Sequence, residues 1–146
     1  MKPSVQRMVA CALITITSAA SAADPANPLV SDAWHSRPLI VVSPSEADSD
    51  YQRMRGILAD STAEMNERDM VLYTVVNGHG KRDGNAMTEY ETHALLSDLN
   101  LDAQGPLSVI LIGKDGGKKI ELKGFVAPQQ IFDTIDRMPM RQSNTP

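Results

Sequence analysis

Residues 107–122 read LSVILIGKDGGKKIEL, two apolar runs joined through Lys114-Asp115-Gly116-Gly117. An Asp-Gly pair between strand-forming residues signals a tight hairpin, because glycine accepts the positive φ that such a turn demands. The two arms differ. Val109, Ile110, Leu111 and Ile112 are apolar at every position, whereas Ile120 and Leu122 alternate with Lys119, Glu121 and Lys123. The first arm is therefore expected inside a sheet covered on both faces, and the second at a charged edge.

Working outward, residues 38–42 (PLIVV) and 70–76 (MVLYTVV) are two more runs apolar on both faces, and Pro38 is tolerated only because it opens its strand. Between them, residues 43–50 (SPSEADSD) read as a loop, and Ser49 with Gln52 has the spacing of a capping box. Tyr51, Met54, Leu58 and Met65 then form the apolar stripe of a helix reaching about Asn66. Residues 77–85 (NGHGKRDGN) read as a glycine-rich loop, and a second helix is expected from about Thr88 to Leu99 with Tyr90, Ala94, Leu95 and Leu99 inward. Beyond the hairpin, Pro128 opens a last helix along Ile131, Phe132, Ile135 and Met138, and Pro139 stops it.

The order is β-α-β-α-β-β-α. A right-handed crossover makes the first two strands parallel, and the second helix returns the chain so that the inner hairpin arm lies antiparallel to the first strand. The expected architecture is α/β, a four-stranded mixed sheet covered by helices on both faces, which is the thioredoxin-like core. One domain over residues 37–141 follows an extended lead-in, residues 24–36, anchored by Leu29, Val30 and a packed Trp34; residues 142–146 read as a frayed tail.

The chain starts with basic Lys2 and Arg7, an apolar run at residues 8–19 too short to span a bilayer comfortably, and the small-x-small pattern Ala20-Ser21-Ala22. These are the parts of a secretory signal peptide, residues 1–23, cut after Ala22 or Ala23, so that an exported protein with no stable membrane anchor is expected in the periplasm or outside the cell. The only cysteine, Cys11, lies inside that leader. The mature chain then lacks every thiol-based function: disulfides, thiolate ligands, thiol peroxidase and dithiol exchange. Without the leader, 12 basic side chains face 18 acidic ones, and the formal charge moves from −4 to −6. An acidic domain with few aromatics is no nucleic-acid binder.

Candidate sites are sparse. Ser43, Ser45, Glu46 and Asp48 follow the first strand, where α/β sheets place ligands, and a small polar pocket there is one expectation. A serine nucleophile would need His35, His79 or His93 as its base, and sequence alone puts none of them beside it. The simpler reading of the segment is a loop and a helix cap. Residues 77–84 could cradle an anion with backbone donors, or merely connect. Lys114 and Asp115 are turn residues that could also face a ligand, and Arg137 and Arg141 carry favourable charge at the negative end of the last helix. Met138 and Met140 could in principle hold Cu(I), or simply plug the core. No cofactor is expected.

Three phrases stand together: Trp34-His35-Ser36-Arg37-Pro38-Leu39, Ile112-Gly113-Lys114-Asp115-Gly116-Gly117-Lys118-Lys119, and Ile135-Asp136-Arg137-Met138-Pro139-Met140-Arg141. They resemble the thioredoxin-like (peroxiredoxin-like) domain of unknown function of small exported bacterial proteins, repeated in animal sushi-repeat and coiled-coil-domain matrix proteins. The likeness spans about Leu29 to Arg141. It implies a thioredoxin-like fold and an extracytoplasmic location, and carries over no activity. Where catalytic thioredoxins hold their redox pair, this chain has Ser43-Pro44-Ser45-Glu46, and Pro106 matches their cis proline only loosely. The expected function is a non-catalytic module that binds an unknown protein or an envelope or matrix component. The alternatives are a cysteine-independent enzyme, for instance a hydrolytic one, built on the polar residues after the first strand, and soft-metal carriage.

Overall fold

The computed structural model describes residues 24–143. Its central strand, β1 (Arg37–Ser43), is buried at all seven positions, which its run of β-branched and leucine side chains allows. It pairs in parallel with β2 (Met70–Val76) and antiparallel with β5 (Ser108–Ile112), and β6 (Lys118–Lys123) lies at the edge beyond β5. These four strands keep the expected neighbours and directions.

The sheet nevertheless has six strands, ordered β4-β3-β2-β1-β5-β6, where four were expected. The additions are β3 (His79–Arg82) and β4 (Asn85–Ala86), formed from the segment read as a loop. Asn77 (φ 49°) and Gly78 (φ 77°) make a two-residue turn from β2 into β3, and Asp83 (φ 47°) and Gly84 (φ 80°) make another from β3 into β4. Positive φ at both turn residues gives the twist that suits a hairpin, and Asn-Gly and Asp-Gly are the pairs that accept it.

Side chains alternate across the sheet, so each strand feeds two cores. Leu39, Val41, Val109 and Leu111 face one side with Met54, Leu58, Ile131 and Ile135, from α2 (Ser49–Asp60) and α5 (Pro128–Asp136); Met65 of α3 (Thr62–Glu67) joins them. Ile40, Val42, Tyr73, Val75 and Ile110 face the other side with Leu95 of α4 (Glu89–Asp98) and Leu29 of the one-turn helix α1 (Leu29–Asp32). A buried polar cluster fixes α1 to this face. The Tyr73 hydroxyl donates to Asp32 Oδ2, and Arg82 donates to Asp32 Oδ1 (2.6 Å) and to Tyr73 Oη (3.0 Å). Burial, then the Asp32 contact, pushes the Tyr73 hydroxyl well above the ordinary tyrosine range.

Local details depart from expectation at five places. Asp48, not Ser49, caps α2, its Oδ1 accepting from the Tyr51 amide at 2.8 Å. The helix expected to reach Asn66 breaks at Ser61, whose hydroxyl bonds back to the Ile57 carbonyl (2.7 Å) while Thr62 bonds back to Ala59 (3.1 Å), a pattern that bends helices. Tyr90 points outward. Trp34, expected as a packing anchor, is 66% exposed and sits at φ 67°, so its ring leaves the surface instead of filling the core. Pro139 ends the α5 stripe but also opens a short helix, α6 (Pro139–Gln142).

The proposed leader with Cys11, and residues 144–146 of the tail, lie outside the described residues. Among the described residues no helix is long and apolar enough to cross a membrane.

Candidate functional site

The two ends of β1 carry different chemistry. At its carboxyl end Ser43 is fully buried, and its hydroxyl donates to the Ser45 carbonyl at 2.8 Å. Ser45 Oγ accepts from the Ala47 amide (3.0 Å), and Asp48 is occupied as the cap of α2. Only Ser45 and Glu46 of these four residues line a groove of about 610 Å³, which they share with Tyr51, Thr74, His79 and Lys81. The groove thus joins a carboxylate, an imidazole and an amine, the last two supplied by β3. The serine that could have served as nucleophile lies beneath it, with its proton already committed.

At the amino end of β1 the three phrases singled out by the sequence meet around Arg37. A slot of about 280 Å³ is lined by Arg37, Lys114, Asp115 and Lys119 together with Met138-Pro139-Met140. The hairpin turn delivers the lysines: Gly113 N–H donates to Gly117 O (2.8 Å), Gly116 takes φ 79°, and Asp115 Oδ1 accepts from the Gly117 amide (3.0 Å). That last bond, followed by the Lys119 contact (3.0 Å), holds the Asp115 carboxyl below the usual aspartate range. Lys114 pairs with Asp69 Oδ2 at 2.7 Å, and its carbonyl accepts the Trp34 amide at 2.5 Å, so the first phrase is tied to the second.

Arg37 is 2% exposed. One of its terminal nitrogens donates to the Arg68 carbonyl (2.8 Å) and lies 3.9 Å from Asp69 Oδ2, whereas its Nε–H is buried with no acceptor. Burial lowers its pKa and Asp69 opposes this, but an arginine keeps its charge under either influence. A buried donor left unmatched costs about 1–3 kcal/mol. Its persistence beside a slot is what marks the place.

The third phrase frames the slot through a charge network. Arg68 grips Asp136 with two bonds (3.0 and 2.8 Å), which hold the Asp136 carboxyl below its ordinary range, and it also stacks on Phe132. Arg141 donates to the Glu67 carbonyl (2.8 Å) and carboxylate (2.9 Å) and approaches Asp136 at 3.7 Å, so α6 is clamped to the end of α3.

Of the residues expected at a site, Lys114 and Asp115 line this slot, Arg141 braces its neighbourhood, and Arg137 is exposed as the C-cap of α5 outside it. Arg37, Lys119 and Pro139 are the parts that sequence reasoning did not assign to a binding site, and Met138 and Met140 entered it only as candidate Cu(I) ligands. One signal was available for Arg37: a charged residue set directly before the apolar run Pro38-Leu39-Ile40-Val41-Val42. Among the described residues no group of three or more His, Cys, Asp or Glu side chains is placed to hold a metal ion, and Met138 and Met140 share their slot with Arg37, Lys114, Asp115 and Lys119.

No curated protein and no solved structure matches the chain. A family model, described as a domain of unknown function (DUF4174), matches residues 28–144, a span that takes in Arg37, the hairpin turn and Met138-Pro139-Met140. The chain therefore belongs to the DUF4174 family.

Proposed function

We propose that this chain is an exported, non-catalytic binding domain of thioredoxin-like architecture that receives its ligand or partner in the slot at the amino end of β1. The observation that carries the reading is the meeting of three separate sequence phrases around a buried arginine with one N–H unmatched. The thioredoxin-like assignment is supported by the order β2-β1-β5-β6 with β1 and β2 parallel and the hairpin antiparallel. Export into the periplasm or beyond is supported by the basic, apolar and small-residue succession of residues 1–23. With a single cysteine in the whole sequence, the chain cannot form a dithiol of its own.

Purified protein recovered from the exporting cell tests the reading. Bound envelope components are released by denaturation and identified by mass spectrometry, then compared with those on Lys114→Gln and Met140→Asp variants and on Glu46→Gln and His79→Ala variants. Loss of the bound species in the first pair alone is the expected result. Loss in the second pair alone would move the site to the groove.

A second reading rests on Glu46 and His79 sharing that groove. Together they could supply an acid and a base to a hydrolytic reaction that uses water in place of the sequestered Ser43. Ester turnover that survives His79→Ala would remove it.

A further inference from the structure

Resting on the slot reading just given, we infer that the ligand is a small organic monocarboxylate whose apolar part lies along Met138-Pro139-Met140 and whose carboxylate is received on the Arg37 side. Charge is the first argument. Arg37, Lys114 and Lys119 carry three positive charges, and their partners Asp69 and Asp115 carry two negative ones, so the slot holds one positive charge in surplus. Both lysines sit within 3.0 Å of a carboxylate, which leaves the surplus with Arg37, whose closest carboxylate is 3.9 Å away. One incoming negative charge neutralises the site, while a dianion such as sulfate overshoots it next to Asp69 and Asp115.

Hydrogen bonding is the second argument. A carboxylate oxygen is an acceptor with no proton of its own to satisfy, and the Arg37 Nε–H is a donor that has found no acceptor. Bonds between ionised partners are roughly twice as strong as neutral ones. The Nε–H is sealed from solvent, so the side chains around it must shift to admit an oxygen.

Size is the third. The slot, about 280 Å³, has room for the body of a short-chain acid. The wall of two methionines and a proline offers that chain contact without hydrogen bonds.

Hexanoate, hexanol and sulfate are the three probes. Each is titrated into the purified chain while the Arg37 Nε–H signal and the Gly113, Gly117 and Met140 amides are followed by nitrogen-edited NMR. Hexanoate alone should shift the Arg37 Nε–H and the Met140 amide together, with at least about tenfold weaker binding in Met140→Asp, whose exposed position keeps the fold out of question. Arg37→Met, if folded, should abolish saturable hexanoate binding. Equal binding of hexanol would make the slot merely apolar, and equal binding of sulfate would make it an inorganic anion site; either overturns the carboxylate. Silence with all three probes also overturns it, yet leaves the slot reading standing if the envelope species captured on the unmodified chain are still lost from Lys114→Gln.

Discussion

Arg37 is held in a position that stability alone does not explain. A cation that is 2% exposed, with its nearest carboxylate 3.9 Å away and one N–H unanswered, is destabilising relative to a well-packed apolar side chain of the same length. Arg37→Met should therefore leave the unfolding free energy unchanged or raise it by up to about 4 kcal/mol, whereas Arg37→Ala should cost about 3 kcal/mol through the cavity it opens. Urea denaturation of both variants checks this, and equal losses would mean that the charge itself holds the fold. Asp136 behaves in the opposite way. Its folded-state pKa lies below the aspartate reference of 3.8 because Arg68 bonds to its ionised form. Its contribution is present in full above that reference and is lost as pH falls through the lower folded value. Stability measured from pH 6 down to pH 2.5 should thus decline below about pH 4, and Asp136→Asn should flatten part of the decline. Because the carboxylate is 41% exposed, solvent screening keeps that part modest.

At the scale of elements, the turn dipeptides explain both what was legible and what was missed. Asp115-Gly116 identified the β5 and β6 hairpin because apolar runs flank it, and the interior and edge roles of its arms followed from their side-chain patterns. Asn77-Gly78 and Asp83-Gly84 carry the same signal, but the residues between them, His79-Gly80-Lys81-Arg82, have no apolar alternation to report a strand. Gly80 is the reason such a strand can exist where it does. A methyl group at this position would collide with the side chain of Thr92 on α4, so the glycine allows β3 and α4 to approach. Gly80→Ala should cost about 1–3 kcal/mol as overpacking, and the pair Gly80→Ala with Thr92→Ala should recover part of that loss beyond simple additivity. Thermal denaturation of the two single variants and the double variant measures the coupling; strict additivity would mean that the two elements do not meet there.

Across the whole molecule, pattern reading named candidate residues at both ends of β1. The general preference of α/β sheets for ligands beyond the carboxyl ends of their strands pointed to residues 43–48, where the structure buries one serine and uses an aspartate as a cap. The slot lies at the other end of β1 because β5 runs antiparallel and delivers its turn there, beside the start of β1 and the last helix. That meeting of residues 37, 114, 119 and 138 to 140 comes from long-range pairing, and local spacing cannot display it. Charge and cysteine content, in contrast, are additive properties and needed no fold to be read.

Trp34 has a practical consequence. It is the only tryptophan in the sequence, its ring is largely open to water, and its amide hangs from the carbonyl of Lys114, which itself lines the slot. Its emission can therefore be followed with no label attached to the chain: a bound guest that reaches and shields the indole should move the fluorescence maximum to the blue, and one that stays within the slot lining should leave it in place.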